Sequence, residues 1–148
     1  MSVKVTGLSA LTQKLNAVVV DMNLAIDEAV KTTAFAVRKT AIKDIRTQSI
    51  GDTVTRYTDS DSPTPYQHIQ SKSGDAPNND TGALMRSIDV KHEAGRKEAF
   101  VFTNLKYGFF LETVHNRPFL EPAKDTQMPR MQKRIINAAK KQIEKAVK

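Results

Sequence analysis

From Leu8 to Ile45 the apolar positions recur at steps of three and four. They run Leu8, Leu11, Leu15, Val18 or Val19, Met22, Ile26, Val30, then Thr33, Val37, Ala41 and Ile45. That spacing keeps one stripe on one side of an α-helix. Neither Pro nor Gly interrupts it, Ser9 offers an N-cap hydroxyl, and Gly7 closes a short extended piece, Val3-Lys4-Val5. A helix approaching forty residues would run about 55 Å, longer than a domain of this size is wide. It must bend near Lys31-Thr32-Thr33, where β-branched side chains weaken it, or project toward a neighbouring subunit.

The pattern then changes abruptly. Of the 34 residues from Thr47 to Asp80, 22 are Gly, Pro, Ser, Thr, Asp or Asn, too polar a mix to build a core. Thr53-Val54-Thr55-Arg56-Tyr57 reads as a short strand. The remainder, with Ser62-Pro63-Thr64-Pro65 and Asp75-Ala76-Pro77, disfavours helix and central strand alike. Tyr57, Tyr66, His68 and Ile69 are nevertheless more anchoring side chains than a linker requires. The segment is either a solvated loop or an arm that orders against a partner. On either reading, removing Ile50 to Asn79 leaves the core patterns on both sides untouched.

Beyond it, Asp80 or Thr81 caps a helical turn through Gly82-Ala83-Leu84-Met85-Arg86. Ile88 to His92 and Ala99 to Thr103 alternate apolar and polar around a turn at Glu93 to Arg96, which predicts an antiparallel hairpin over about 87–103. Lys106 to Thr113 reads as a short helix with Tyr107, Phe110 and Leu111 on one side. Arg117-Pro118-Phe119-Leu120-Glu121-Pro122-Ala123 follows as a Pro-bounded connector carrying apolar anchors. Met128, Met131, Ile135, Ala138 or Ala139, Ile143 and Val147 then repeat at helical spacing. The expected fold is one α+β domain over 1–148: a long N-terminal helix and a C-terminal helix packed on a small antiparallel sheet, with a polar arm at about 47–80.

Composition narrows the function classes. No cysteine is present, which excludes disulfides, thiolate metal sites and cysteine nucleophiles. The first residues lack the basic-then-apolar layout of a signal peptide, and the longest apolar run, Ala17 to Val20, is far too short to span a bilayer. A soluble, intracellular protein is the expectation. The formal charge of +7 is concentrated near the end, with eight basic and two acidic residues from Lys124 to Lys148. That segment is a solvated helix face or a contact for nucleic acid or an acidic surface.

Catalytic patterns are missing. There is no Gly-rich phosphate loop, no Gly-x-Ser-x-Gly elbow and no His-Glu-x-x-His. His68, His92 and His115, read as lying in a loop, a strand and a connector, match no common zinc spacing. Asp59, Asp61 and Asp75 do not have the spacing of a calcium loop. Asn79-Asp80-Thr81 fits a glycosylation sequon, which has no role without secretion. Glu112, set among aromatics, is expected to be paired with Arg86 or Arg117. No catalytic residue, metal or cofactor is expected, and the chain is not read as an enzyme.

Three patches carry a resemblance: VKVTGLSALTQKL at the start, SGDAPNNDTGALMRSIDV midway, and KYGFFLETVHNRPFLEPA near the end. Together, and in this order, they resemble the small neck and tail-completion proteins of long-tailed bacteriophages. These are head–tail joining or minor tail components, similar in kind to lambda tail-completion protein Z. The matching positions are Gly7; Gly74 and Pro77; Thr81, Gly82, Leu84, Ser87 and Ile88; Tyr107 and Glu112; and Arg117, Pro118, Phe119, Leu120, Pro122 and Ala123. The likeness covers most of the chain except the middle of the arm. One departure is Thr113-Val114-His115, where the family commonly has Gly-Thr after the acid.

The resemblance implies a structural virion protein that forms a homo-oligomeric ring at the head–tail junction, around the DNA channel. A hexamer is favoured over a dodecamer. The implied neighbours are head-closure or connector proteins and tail-terminator or tail-tube proteins, with DNA only as channel content, no membrane, and host cytoplasm as the site of assembly. Tyr57, Tyr66, His68 and Ile69 would be the arm's contacts with other subunits. The alternative is a basic nucleic-acid-binding protein acting through the C-terminal helix, at Lys133, Arg134, Lys140 and Lys141. Aromatics for base stacking are not interleaved there, however, and no groove-reading motif is present. A small hydrolase is disfavoured by the missing motifs.

Overall fold

The computed structural model describes residues 8–147. Gly7 and the expected strand at Val3-Lys4-Val5 lie outside the described residues. Helix α1 spans Leu8–Arg46 as one uninterrupted element of 39 residues. Ser9 lies within it and is not its cap. A short hairpin follows, β1 (Thr53–Tyr57) and β2 (Pro65–Ile69), then α2 (Ala83–Ser87), β3 (Ile88–Glu93), β4 (Glu98–Thr103), α3 (Lys106–Thr113) and α4 (Glu121–Val147). The fold is α+β, with two separate two-stranded antiparallel sheets, β1–β2 and β3–β4. None of the described helices is long and apolar enough to cross a membrane.

Helix α1 is the spine. Helix α4 runs antiparallel along it: Gln127 donates to Thr40 at 2.9 Å, Arg134 to Thr33 at 3.1 Å, and Lys145 approaches Asp21 at 3.4 Å. Strands β3 and β4 lie along the same helix. Arg38 donates to the Ile88 carbonyl at 2.7 Å, His92 meets Asp27 at 3.0 Å, and Lys97 donates to Asn23 at 2.6 Å. The core sits where these elements meet the loops. It comprises Val37, Ala41 and Ile45 of α1, Leu84, Ile88, Phe119 and Ala123, with Ala76, Val101, Leu111 and Leu120 against it. The α1 stripe is buried at Thr33, Val37, Ala41 and Ile45 and half-buried at Val18, Met22, Ile26 and Val30, whereas Leu11 and Leu15 are more than half exposed. Periodicity reveals the stripe but not how much of it the chain itself covers.

Three local expectations are corrected. Residues 65–69 form a strand, although Pro65 begins it. Proline has no N–H to donate, and as the first residue of an edge strand it leaves the ladder intact. His68 is therefore a strand residue, not a loop residue. Helix α4 starts at Glu121, so Glu121-Pro122-Ala123 belongs to the helix and not to the connector. Pro122 stands in the first turn, where a missing N–H costs nothing. Finally, neither Asp80 nor Thr81 caps α2. Gly82 occupies the N-cap position at φ 78°, with no side-chain cap bond, in a backbone conformation that favours glycine.

The polar segment is also more integrated than its composition suggests. Ser71 is buried, Asn78 donates to the carbonyls of Ser49 and Ile69 and accepts from the Ser49 amide, and the Asn79 amide donates to the Ile45 carbonyl. Gly74, at φ 90°, donates to the Asn116 carbonyl at 2.6 Å. Residues 70–82 are thus a wall of the core, and only the β1–β2 hairpin stands outside it. Removing Ile50 to Asn79 would strip this wall, contrary to the expectation that the core would be left untouched.

Candidate functional site

The site is a cavity of about 540 Å³ where β2, the 70–82 wall, α2 and α3 converge. Its apolar lining is Ile45, Pro77, Leu84, Phe110 and Leu111, and its polar lining includes His68, Ser71, Asp80, Tyr107, His115 and Arg117. The volume falls within the ordinary range for ligand pockets. Among the residues carried by the resemblance, Pro77, Thr81, Gly82, Leu84, Tyr107 and Arg117 all line it. The second and third patches, separate in the chain, therefore share one place in the fold.

Asp80 fastens the hairpin beside this cavity. Its carboxylate accepts the Tyr66 hydroxyl at 3.0 Å to each oxygen, accepts Arg56 Nη1, and lies 3.7 Å from His68 Nδ1. One residue of β1 and two of β2 thus meet one acid just ahead of α2. Burial is the main cause holding His68 below its usual value, with the Arg56 charge adding to it and Asp80 opposing it. Burial first, then the bond to Asp80, raises the Tyr66 hydroxyl. The four arm residues consequently differ: Tyr66 and His68 turn inward to Asp80, while Tyr57 and Ile69 are exposed.

Glu112 has a different partner from the one expected. Its carboxylate accepts the backbone amides of Phe119 at 2.8 Å, Leu120 at 3.1 Å and Glu121 at 2.9 Å. These are donors at the start of α4, which have no partner within the helix. Arg86 instead donates to the Thr81 carbonyl, and Arg117 donates through Nε and Nη2 to the Ser71 carbonyl. Charge pairing predicted an arginine; the backbone amides of a helix start supply what the carboxylate needs. After Thr113-Val114-His115, Asn116 takes a left-handed turn at φ 48°.

The remaining motif residues are structural. Ser87 Oγ donates to the Leu84 carbonyl and bonds Thr103 Oγ1 at 2.6 Å, while Ile88, Phe119 and Ala123 are buried. Pro118 and Leu120 are half-buried, and Pro122 is exposed. His115 is exposed at the cavity, and His92 is held by Asp27. Asp75 accepts Ser49 Oγ, and no group of three or more acidic or histidine side chains among the described residues could hold a metal ion. Sequence reasoning missed Ser71, Asn78, Arg56 and the central role of Asp80. Asn78-Asn79-Asp80-Thr81-Gly82 reads as a turn leading into a capped helix, and its partners lie as far away as Ile45 and Ser49.

Apolar exposure is widespread. Among the described residues, Tyr107, Phe109, Phe110 and Val114 of the α3 region are each at least 46% exposed, as are Leu11, Leu15, Val19, Val20 and Leu24 of α1. Phe100 and Phe102 project from β4. Compared with known protein families, with characterised proteins and with solved structures, the chain matches none.

Proposed function

We propose that this protein is a structural subunit of a tailed-phage particle that forms a homo-oligomeric ring at the head–tail junction. The carrying observation is its uncovered surface. Among the described residues Leu11, Leu15, Val19, Val20 and Leu24 of α1 and Tyr107, Phe109, Phe110 and Val114 of the α3 region stand exposed on two separate elements, and a standard interface hides about 800 Å² on each partner. A ring subunit needs two such faces, because its contacts are head to tail. Long aliphatic rows on α1 and an aromatic group on α3 are fitting material for them.

The resemblance supplies the location, and its residues cluster in the fold around the cavity and the α4 cap. The basic helix gives the competing reading less support. Arg134 is engaged with Thr33, while Lys133, Lys140, Lys141 and Lys145 are exposed with no aromatic side chain interleaved among them. Mass measurements on purified protein and on disrupted particles test the proposal. A closed multiple of the subunit, six copies being favoured, is expected in the particle. A monomer in both preparations would contradict it.

A further inference from the structure

We infer that the cavity between β2, the 70–82 wall and α3 is a binding site for a carboxylate carried on a short apolar body. Ser71 Oγ carries the argument. Ser71 is 4% exposed and lines the cavity, yet its hydroxyl is the one buried side-chain polar atom among the described residues without a hydrogen-bond partner. Buried polar groups are almost always satisfied, so this hydroxyl, in a residue that lines the cavity, asks for a partner that turning toward the cavity would give it. The other buried polar side chains, Thr33 and Gln127, are both bonded within the chain.

The sign of the occupant follows from what the wall still offers. Asp80, the only acid lining the cavity among the described residues, is already taken by Arg56 and Tyr66. Arg117 donates only to a backbone carbonyl and pairs with no carboxylate among the described residues, so its charge is uncompensated. His68 and His115 line the same space. The unspent capacity includes a donor-only guanidinium edge, with a hydroxyl and imidazoles that can donate beside it. A planar carboxylate suits a guanidinium, and Ile45, Leu84, Phe110 and Leu111 give an apolar body somewhere to rest. The same chemistry belongs to a free organic acid and to an acidic side chain of another protein segment.

Benzoate and its neutral counterpart benzamide, titrated into the full chain by NMR, test the site. Acetyl-Leu-Glu-Leu-amide and its Gln analogue test the protein-borne source. Saturable shifts of the Ser71 amide and the His68 and His115 rings are expected with an acid and not with its neutral partner. Tighter binding of the peptide assigns the site to a protein segment, and tighter binding of benzoate assigns it to a free acid. Arg117→Gln should weaken binding about tenfold, equivalent to ~1.4 kcal/mol. Because Arg117 also holds the wall, Ser71→Ala is the second variant. It removes a hydroxyl that bonds nothing in the chain, so the fold should be retained while affinity falls several-fold. No saturable shift at concentrations on the order of 10 mM would overturn the inference. So would equal binding of acid and neutral partner, or unchanged affinity in both variants. Binding is read on the isolated subunit, so its failure is distinct from a failure to form rings.

Discussion

The Glu112 carboxylate accepts the Phe119 amide at 2.8 Å, joining the end of α3 to the start of α4 across seven residues. The same carboxylate takes the next two amides, so a single side chain sets where α4 begins and aims Phe119 into the core. Glu112→Ala should cost about 1–3 kcal/mol, because buried or half-buried donors lose a charged acceptor. Glu112→Gln keeps one acceptor oxygen and should cost less. Urea denaturation with an unchanged m-value checks both; equal stability of Glu112→Ala and wild type would contradict the cap.

Phe119 is 1% exposed and among the three largest fully buried side chains. Phe119→Ala should cost about 3–5 kcal/mol. A melting temperature matching wild type would show that the ring does not fill the core.

The β1–β2 hairpin can be removed at smaller cost than the wall, losing the Asn78 bond to the Ile69 carbonyl and the Arg56 and Tyr66 partners of Asp80. Gln70 donates to the Asp52 carbonyl at 2.9 Å, and a Cβ on Gly51 would overlap the Gln70 carbonyl oxygen, so the two ends of the hairpin are already in contact. Replacing Thr53–Ile69 with Gly-Gly should leave a folded subunit, since shortening a closed loop changes its entropy only slightly. The shortened protein should fail to support particle assembly, because exposed Tyr57 and Ile69 are lost. Infectious tailed particles made with it would refute a role for the hairpin.

Acid should loosen the hairpin through His68. Its pKa is lowered in the fold by burial and by Arg56, against the pull of Asp80, so the unfolded chain binds that proton more tightly. The stability this confers is present above pH about 6.5 and is lost as pH falls through the lowered folded value. Between about pH 7 and pH 5, wild type should lose more thermal stability than His68→Asn. Parallel losses would contradict the assignment.

Much of the architecture could be read from the chain. Helix α3 falls on Lys106–Thr113 and the β3–β4 hairpin on the alternating segments, because both are short and strongly patterned. Strand β2 escaped because Pro65 and its turn-rich surroundings hide a five-residue strand that lies at an edge. The α4 start escaped because Pro122 reads as a stop, whereas a first-turn proline is compatible with a helix. The cavity was least legible. Ser71, Asp80 and Arg117 are separated in sequence, and their meeting depends on where the 70–82 wall docks.

Electron microscopy of lysates from cells carrying a null mutation tests the central claim most directly. A subunit of the head–tail junction, when absent, should leave filled heads and separate tails, or tails that do not attach. Changing the exposed Lys133, Lys140 and Lys141 to Gln, with Arg134 left on Thr33, should reproduce that phenotype only if the basic helix is the working surface. Normal, infectious, tailed particles from the null would contradict the junction assignment.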